Sequence, residues 1–194
     1  MKTVLACIIM ASGHSTRFGS NKLLTNIAGK PMVQHIIEKI KMLKISVVVV
    51  TRFPQITELC QSLGVDCVLH QEPYQNDTIR IGLEHLLKQS SFSGYMFCTG
   101  DQPFLTIATL QKLIVNFANQ PKSIHRLCYE SQPGNPVIFP VSFVPQLLTL
   151  PQDKGGSYIL KHCNENICYT TITNKSELQD IDTIEDKTKL FLQQ

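Results

Sequence analysis

The stretch Leu5-Ala6-Cys7-Ile8-Ile9-Met10-Ala11-Ser12-Gly13-His14-Ser15-Thr16-Arg17-Phe18-Gly19-Ser20-Asn21-Lys22-Leu23-Leu24 decides how the rest of the chain is read. An apolar run from Val4 to Ala11 turns abruptly small and polar at Ser12 and Gly13, and two cations, Arg17 and Lys22, follow. An apolar run of that length ending at a glycine reads as a buried strand leading into a tight loop. Small residues leave backbone N–H groups free to meet an anion, and glycine lets it approach closely. With a guanidinium and an ammonium added, the loop reads as a cradle for a polyphosphate. The plainer reading is a strand-to-helix turn with solvated cations.

Spacing narrows the choice. A Walker A loop needs Gly, four residues, then Gly-Lys-Ser/Thr. Five residues separate Gly13 from Gly19, and Lys22 precedes Leu23. The dinucleotide fingerprint Gly-x-Gly-x-x-Gly has no counterpart, because position 15 is Ser15. Both common phosphate loops are excluded by count.

A chain of 194 residues with 43 % hydrophobic residues is expected to fold as a single domain, 1–194, around a substantial core. A net charge of +3 without a basic run argues against nucleic acid as a partner. No stretch approaches the roughly 18 apolar residues of a membrane span. Leu5-Ala6-Cys7 mimics a lipoprotein cleavage box, but the apolar segment before it is too short for a signal, so Met1 is expected to begin the first strand's segment. The seven cysteines are odd in number and form no C-x-x-C pair, which predicts free thiols and a cytoplasmic location. The histidines show no metal-ligand spacing, and His35 and His85 fall within helical patterns as structural residues.

Beyond the loop, Pro31 opens a helix whose Val33, Ile36, Ile37 and Ile40 share a face. Ile45–Thr51 is a second strand, Pro54–Leu63 a helix stopped by Gly64, and Val65–Leu69 a third strand. Residues 71–78 read as a polar loop. A helix follows, marked by Ile79, Leu83, Leu86 and Leu87. Tyr95–Thr99 is a fourth strand ending at Gly100-Asp101-Gln102-Pro103. A helix with Thr106 as its cap follows, and Ser123–Cys128 is a fifth strand. This alternation predicts a parallel sheet with helices on both faces. Gln132–Pro136 reads as a turn, Val137–Phe139 as a short strand, Val141–Leu150 as weakly helical, and Ile167–Ile172 as a final, antiparallel strand before a short C-terminal helix.

In such a sheet, ligands bind outside the carboxyl ends of the strands. Asp101, just beyond an apolar strand, is placed to hold Mg²⁺ at the rim, since that ion takes one or two carboxylates plus phosphate oxygens and water. Its alternative is a turn residue.

Ser12-Gly13-His14-Ser15-Thr16-Arg17-Phe18-Gly19, then Lys22, resembles the signature of the MobA-like nucleotidyltransferases, in which a strand ends in Ala/Gly-Gly-x-Ser-x-Arg-Met-Gly and a Lys follows. Phe18 stands where Met is usual, and Ser12 where Ala or Gly is usual. Gly100-Asp101-Gln102-Pro103 is similar to the family's second signature, Gly-Asp-x-Pro. Gly134-Asn135-Pro136 and Gln152-Asp153-Lys154-Gly155-Gly156 resemble segments of the branch that includes molybdenum cofactor cytidylyltransferase. Asp180-Ile181-Asp182-Thr183-Ile184-Glu185-Asp186 resembles the Asp-x-Asp-Thr-Pro-Glu-Asp that closes many nucleotidyltransferase domains.

The resemblance implies an α/β fold, a three-layer Rossmann-like sandwich with a mostly parallel sheet, of the nucleotide-diphospho-sugar transferase type. It implies transfer of CMP from CTP to the phosphate of molybdopterin or its molybdenum form, with release of pyrophosphate. The alternatives are the guanylyltransferase using GTP, a sugar- or alditol-phosphate cytidylyltransferase, or a non-catalytic accessory protein that hands the cofactor to a molybdenum hydroxylase. Carried over residue by residue, Ala11, Ser12, Gly13, His14, Ser15, Thr16, Arg17, Lys22 and Gly100 would hold the nucleotide. Arg17 would clamp the β and γ phosphates, and Lys22 would sit at the α phosphate, where charge develops as pyrophosphate leaves. Asp101 would hold Mg²⁺. Asp182 would be a second metal carboxylate, or else the N-cap of the C-terminal helix. Arg80, Asn135 and Lys154 would be the acceptor contacts; Asn76-Asp77-Thr78 stands before Arg80 where the family often has Gly-x-Ser, and Asn135 and Lys154 are each also readable as a turn or solvated residue. The residue before Gly13 is Ala in the family's cytidylyltransferases and Gly in its guanylyltransferases, so Ser12, with its side chain, falls on the CTP side.

Overall fold

The computed structural model describes residues 4–13, 21–163 and 166–181. His14, Ser15, Thr16, Arg17, Asp182 and the expected C-terminal helix lie outside the described residues.

The chain runs β1 (Leu5–Ala11), a 3₁₀ turn (Lys22–Leu24), β2 (Asn26–Ile27), β3 (Lys30–Pro31), α1 (Met32–Met42), β4 (Ser46–Thr51), α2 (Pro54–Leu63), β5 (Asp66–Leu69), α3 (Gln75–Gln89), β6 (Gly94–Thr99), α4 (Ile107–Asn119), β7 (Ile124–Tyr129), β8 (Gln132–Pro140), α5 (Val144–Leu148), α6 (Ser157–Leu160) and β9 (Ile167–Ile172). Seven strands form one sheet in the order β5-β4-β1-β6-β8-β7-β9. β1 lies at its middle, parallel to β4 on one side and β6 on the other. A strand flanked by strands and covered on both faces can be apolar throughout. β1 meets that condition: Cys7, Ile9 and Ala11 join the core under α1, α2 and α4, while Ala6 and Ile8 join the core under α3 and α5. The result is the three-layer α/β sandwich with a mostly parallel sheet.

Several helix boundaries follow the sequence closely. Gly64 caps α2 in the left-handed conformation at φ 63°, which glycine adopts without steric cost. The Thr106 side chain accepts the amide of Thr109 and so caps α4, as its place predicts. α3 departs from expectation: it begins at Gln75, so Asn76, Asp77 and Thr78 are helical rather than loop. Its first turn is polar because one side of it faces a cavity instead of the core.

The second half of the sheet corrects two expectations. Gln132–Pro136 is not a free turn but the first part of β8, which runs antiparallel between β6 and β7. The register jumps from Arg126↔Val137 to Leu127↔Gly134, leaving Asn135 and Pro136 as extra residues in a bulge. Proline is tolerated in a sheet at such interruptions, so a Pro- and Gly-rich segment that reads as a turn can still be strand. β9 is parallel to β7, not antiparallel. The segment from Val141 to Cys163 carries the chain back across one face before β9 begins, and that crossover restores the parallel direction.

Candidate active site

β1 and β6 are neighbours, and their carboxyl ends open where the strand order changes direction. A crevice is expected at that point. A cavity of about 310 Å³ lies there, lined by Met10, Ser12, Gly13, Lys22, Leu23, Pro73, Tyr74, Gln75, Thr78, Thr99, Gly100, Asp101 and Asp153. The residues after β1 and those after β6 thus face one another.

Lys22 Nζ donates to Asp101 Oδ2 at 2.8 Å, with side chains only 15 % and 19 % exposed. That shelter reduces solvent screening, so the pair is held more firmly than a surface ion pair. It bridges the loop after β1 to the loop after β6. Asp101 Oδ1 is buried and accepts no hydrogen bond from the described residues. A carboxylate with one oxygen on a lysine and the other unclaimed is the donor a divalent cation takes, beside phosphate oxygens and water. Among the described residues no group of three or more His, Cys, Asp or Glu comes together that could hold a metal by itself. The backbone of the Asp101 loop is tied to the end of the described chain. Ile181 N–H donates to the Asp101 carbonyl at 3.1 Å, and Gln102 Nε2 donates to the Leu178 carbonyl.

Ser12 is held from the opposite wall. Its hydroxyl donates to the Val50 carbonyl at 3.1 Å and meets His70 Nε2 at 2.8 Å. Since the hydroxyl proton is committed to Val50, His70 Nε2 is the donor, which leaves Nδ1 as the bare nitrogen. Nδ1 is buried and has no hydrogen-bond partner among the described residues. Burial first, and the charge of Arg52 second, hold the imidazole below its ordinary range, so it is neutral at pH 7. Arg52 Nε donates to the Ser12 carbonyl at 3.1 Å. Gly100 packs against Leu23 and Val33, each 3.3 Å from where a Cβ would stand.

A second cavity, about 200 Å³, shares Met10 and Gln75 with the first and continues beneath α5 and α6. Asn135 lines it. Lys154 is exposed and lines neither cavity, although its neighbour Asp153 lines the first. Arg80 lies on the outer side of α3, where it pairs with Asp77 at 3.3 Å and Glu84 at 3.4 Å, and it lines neither cavity. Ala11 is fully buried at the end of β1, and its carbonyl accepts from Thr51 Oγ1.

Three residues near the site have no counterpart in the motifs. His70 follows β5 directly, at the carboxyl edge where ligands bind, and that position was its signal. Gln75 is hidden by the extra turn of α3. Arg126 is a cation inside the apolar strand Ile124-His125-Arg126-Leu127-Cys128, and a charge in such a run was the signal for it. All seven cysteines are free, as their spacing predicts. His35 Nε2 bonds the Ile27 carbonyl, a structural contact.

The description "MobA-like NTP transferase domain" belongs to the family model that matches residues 7–167. Bifunctional protein GlmU of Exiguobacterium sibiricum is 33 % identical over 57 % of this chain and 25 % of its own length. The 3-deoxy-manno-octulosonate cytidylyltransferase of Francisella tularensis subsp. novicida is 30 % identical over 54 % of this chain and 42 % of its own. The matches therefore span less than half the length of these relatives. Rv0371c of Mycobacterium tuberculosis H37Rv shares the fold with a TM-score of 0.84 at 19 % identity, over 98 % of this chain and 99 % of that one. A second structure of Rv0371c, with manganese, gives a TM-score of 0.79 at 20 % identity over 97 % and 98 %.

Proposed function

The chain belongs to the MobA-like NTP transferase family, and on that premise we propose that it moves CMP from CTP to the phosphate of a molybdopterin-type acceptor, releasing pyrophosphate. The observation that carries this reading is the sheltered Lys22–Asp101 pair, which joins the two signature loops across one cavity at the carboxyl ends of β1 and β6.

Both reactants are polyanions and repel one another until cations neutralise them. Lys22, a compact point charge, meets the α phosphate, where charge grows as the bond to the leaving pyrophosphate breaks. The small residues Ser12 and Gly13 admit the phosphates beside the backbone, and nothing lies within 4 Å of where a Gly13 Cβ would be. Arg17, outside the described residues, takes the β and γ phosphates by its place in the signature. Asp101, whose Oδ1 is unclaimed among the described residues, would hold a divalent cation, and that ion would supply charge neutralisation between triphosphate and acceptor. Asp182, outside the described residues, would be the second carboxylate by its place in the closing motif. An acceptor oxygen attacks the α phosphorus in line, so no protein nucleophile is needed.

Ser12 supports a pyrimidine, because its side chain narrows the end of β1 where a guanylyltransferase would have glycine. The Francisella relative's name favours the cytidylyl group as well, and it keeps a sugar-acid acceptor as the second reading. Pyrophosphate release should be measured with each of the four nucleoside triphosphates, with and without molybdopterin. CTP is expected to exceed GTP by at least about tenfold, a difference of roughly 1.4 kcal/mol that one steric contact can supply. Ser12→Gly should shift use towards GTP. A native preference for GTP would replace this assignment with the guanylyltransferase. Equal release without molybdopterin would remove the acceptor.

A further inference from the structure

The second cavity contains a feature that the nucleotide site does not use. Its walls are apolar, made by Ile79, Phe97, Val137, Phe139, Leu147 and Leu160. Phe97 and Phe139 meet edge to face at 5.8 Å between ring centroids. Into this lining project three neutral polar side chains, Gln75, Asn135 and Ser157, and one cation, Arg126. Arg126 sits on β7 at the bulge, facing Val137 of β8 on one side and Tyr169 of β9 on the other. Among the described residues it forms no ion pair, and its Nε is buried without a hydrogen-bond partner. Burial pushes the guanidinium pKa down, although arginine remains charged at any working pH.

A half-buried cation facing an apolar cavity without a counter-charge is unfavourable in the empty protein. A stretch of strand chosen for stability alone would carry an apolar residue there. The guanidinium presents a fork of donors matched to a carboxylate or a phosphate. We propose that Arg126, with the carboxamide of Asn135 beside it, forms an oxyanion subsite for the acceptor, and that the acceptor's flat or apolar body lies against Phe97 and Phe139. The subsite's place in a reaction rests on the nucleotidyl-transfer reading; its ability to bind an anion does not. Met10 and Gln75 line both cavities, so the two lie side by side, and an acceptor anchored at Arg126 would extend towards the nucleotide across those two side chains. Gly155 and Gly156 pack closely against two of these lining residues, Gln75 and Phe139. A Cβ on Gly155 would stand 2.4 Å from Gln75 Oε1, and one on Gly156 would stand 3.1 Å from the Phe139 ring.

The test uses phenyl phosphate and benzoate as anionic probes and benzyl alcohol as the neutral control, with CTP and Mg²⁺ titrated separately. Native protein, Arg126→Met and Arg126→Lys are compared by calorimetry. The native protein should bind at least one anion more tightly than benzyl alcohol, and whichever anion is preferred tells phosphate from carboxylate. Arg126→Met should weaken that anion at least tenfold while leaving CTP within twofold; the apolar replacement suits the apolar wall, so the fold should hold. If Arg126→Met fails to fold, Arg126→Lys, which keeps charge but loses the fork, should still weaken the anion severalfold. Native binding no tighter than the alcohol, or variants that bind the anion as the native protein does, would overturn the subsite. Loss of CTP binding with an Arg126-dependent anion intact would remove the nucleotide reading and leave the subsite standing.

Discussion

Ser12 and His70 show how a single hydroxyl fixes a tautomer. With the serine proton on Val50, the ring must donate from Nε2, and a second proton on Nδ1 would be buried with no acceptor among the described residues. The folded pKa of His70 therefore lies below its ordinary 6.5, and that of His125 is likewise lowered by burial. Between the folded value and 6.5 the unfolded chain binds a proton that the folded chain does not, so stability falls as pH falls through that window. The urea midpoint should drop between about pH 7.5 and about pH 5.5, and less steeply in His70→Gln, which keeps only the His125 share. Equal slopes would mean that His70 does not titrate against the fold. At Lys22 the expectation concerns activity. Lys22→Ala should lower pyrophosphate release by at least about tenfold in a protein that still folds, though with a lower melting temperature because Asp101 loses its partner; undiminished release per folded molecule would take it out of the mechanism. Lys22 and Asp101 were legible because their motifs flank apolar strands. His70 and Arg126 were not singled out, because each becomes a site residue only through strand neighbours distant in the sequence.

At the scale of elements, the loop that carries Asp101 depends on the segment that closes the described chain. Glu177 is buried, and its Oε2 accepts both the Thr106 amide at 2.9 Å and the Thr106 hydroxyl at 2.8 Å. A carboxylate at the start of α4 also meets the positive end of that helix. Thr106 then accepts from Thr109 N–H, so cap and tether are one chain of hydrogen bonds. Thr106→Ala should cost about 1 kcal/mol as a lost cap. Glu177→Ala should cost roughly 2–3 kcal/mol, since a hydrogen bond to a charged group is worth more than a neutral one. Urea unfolding measures both; a smaller loss from Glu177→Ala than from Thr106→Ala would contradict this order. The cap was legible from Thr106 preceding an apolar helical pattern. Glu177 was not, because a surface-type residue beside a short turn gives no sign of the helix it will meet.

Across the molecule, the sequence was most legible where strand and helix alternate with short connections, from β1 to α4. There each element packs on the one before it, and periodicity alone identifies the buried faces. It was least legible at β8, whose Pro133, Gly134 and Pro136 carry turn chemistry while the strand is held by both neighbours. β6 and β8 pack tightly where they meet α4: a Cβ on Gly94 would stand 2.4 Å from the Phe117 ring and 3.0 Å from the Phe139 carbonyl oxygen. Gly94→Ala should destabilise by about 1–3 kcal/mol through overpacking. Adding Phe117→Leu should recover part of that loss, and unfolding curves without any such recovery would place the strain elsewhere. In the proposed reaction, Asp101 would bring a divalent cation to a nucleoside triphosphate in the cavity between β1 and β6. Calorimetric titration with CTP, in Mg²⁺ and in EDTA, on the native protein and Asp101→Asn, tests it directly. Binding to the native protein should tighten at least about tenfold with Mg²⁺, and Asp101→Asn should lose that gain while remaining folded. CTP binding that ignores the metal, or an equal gain in Asp101→Asn, would contradict the assignment.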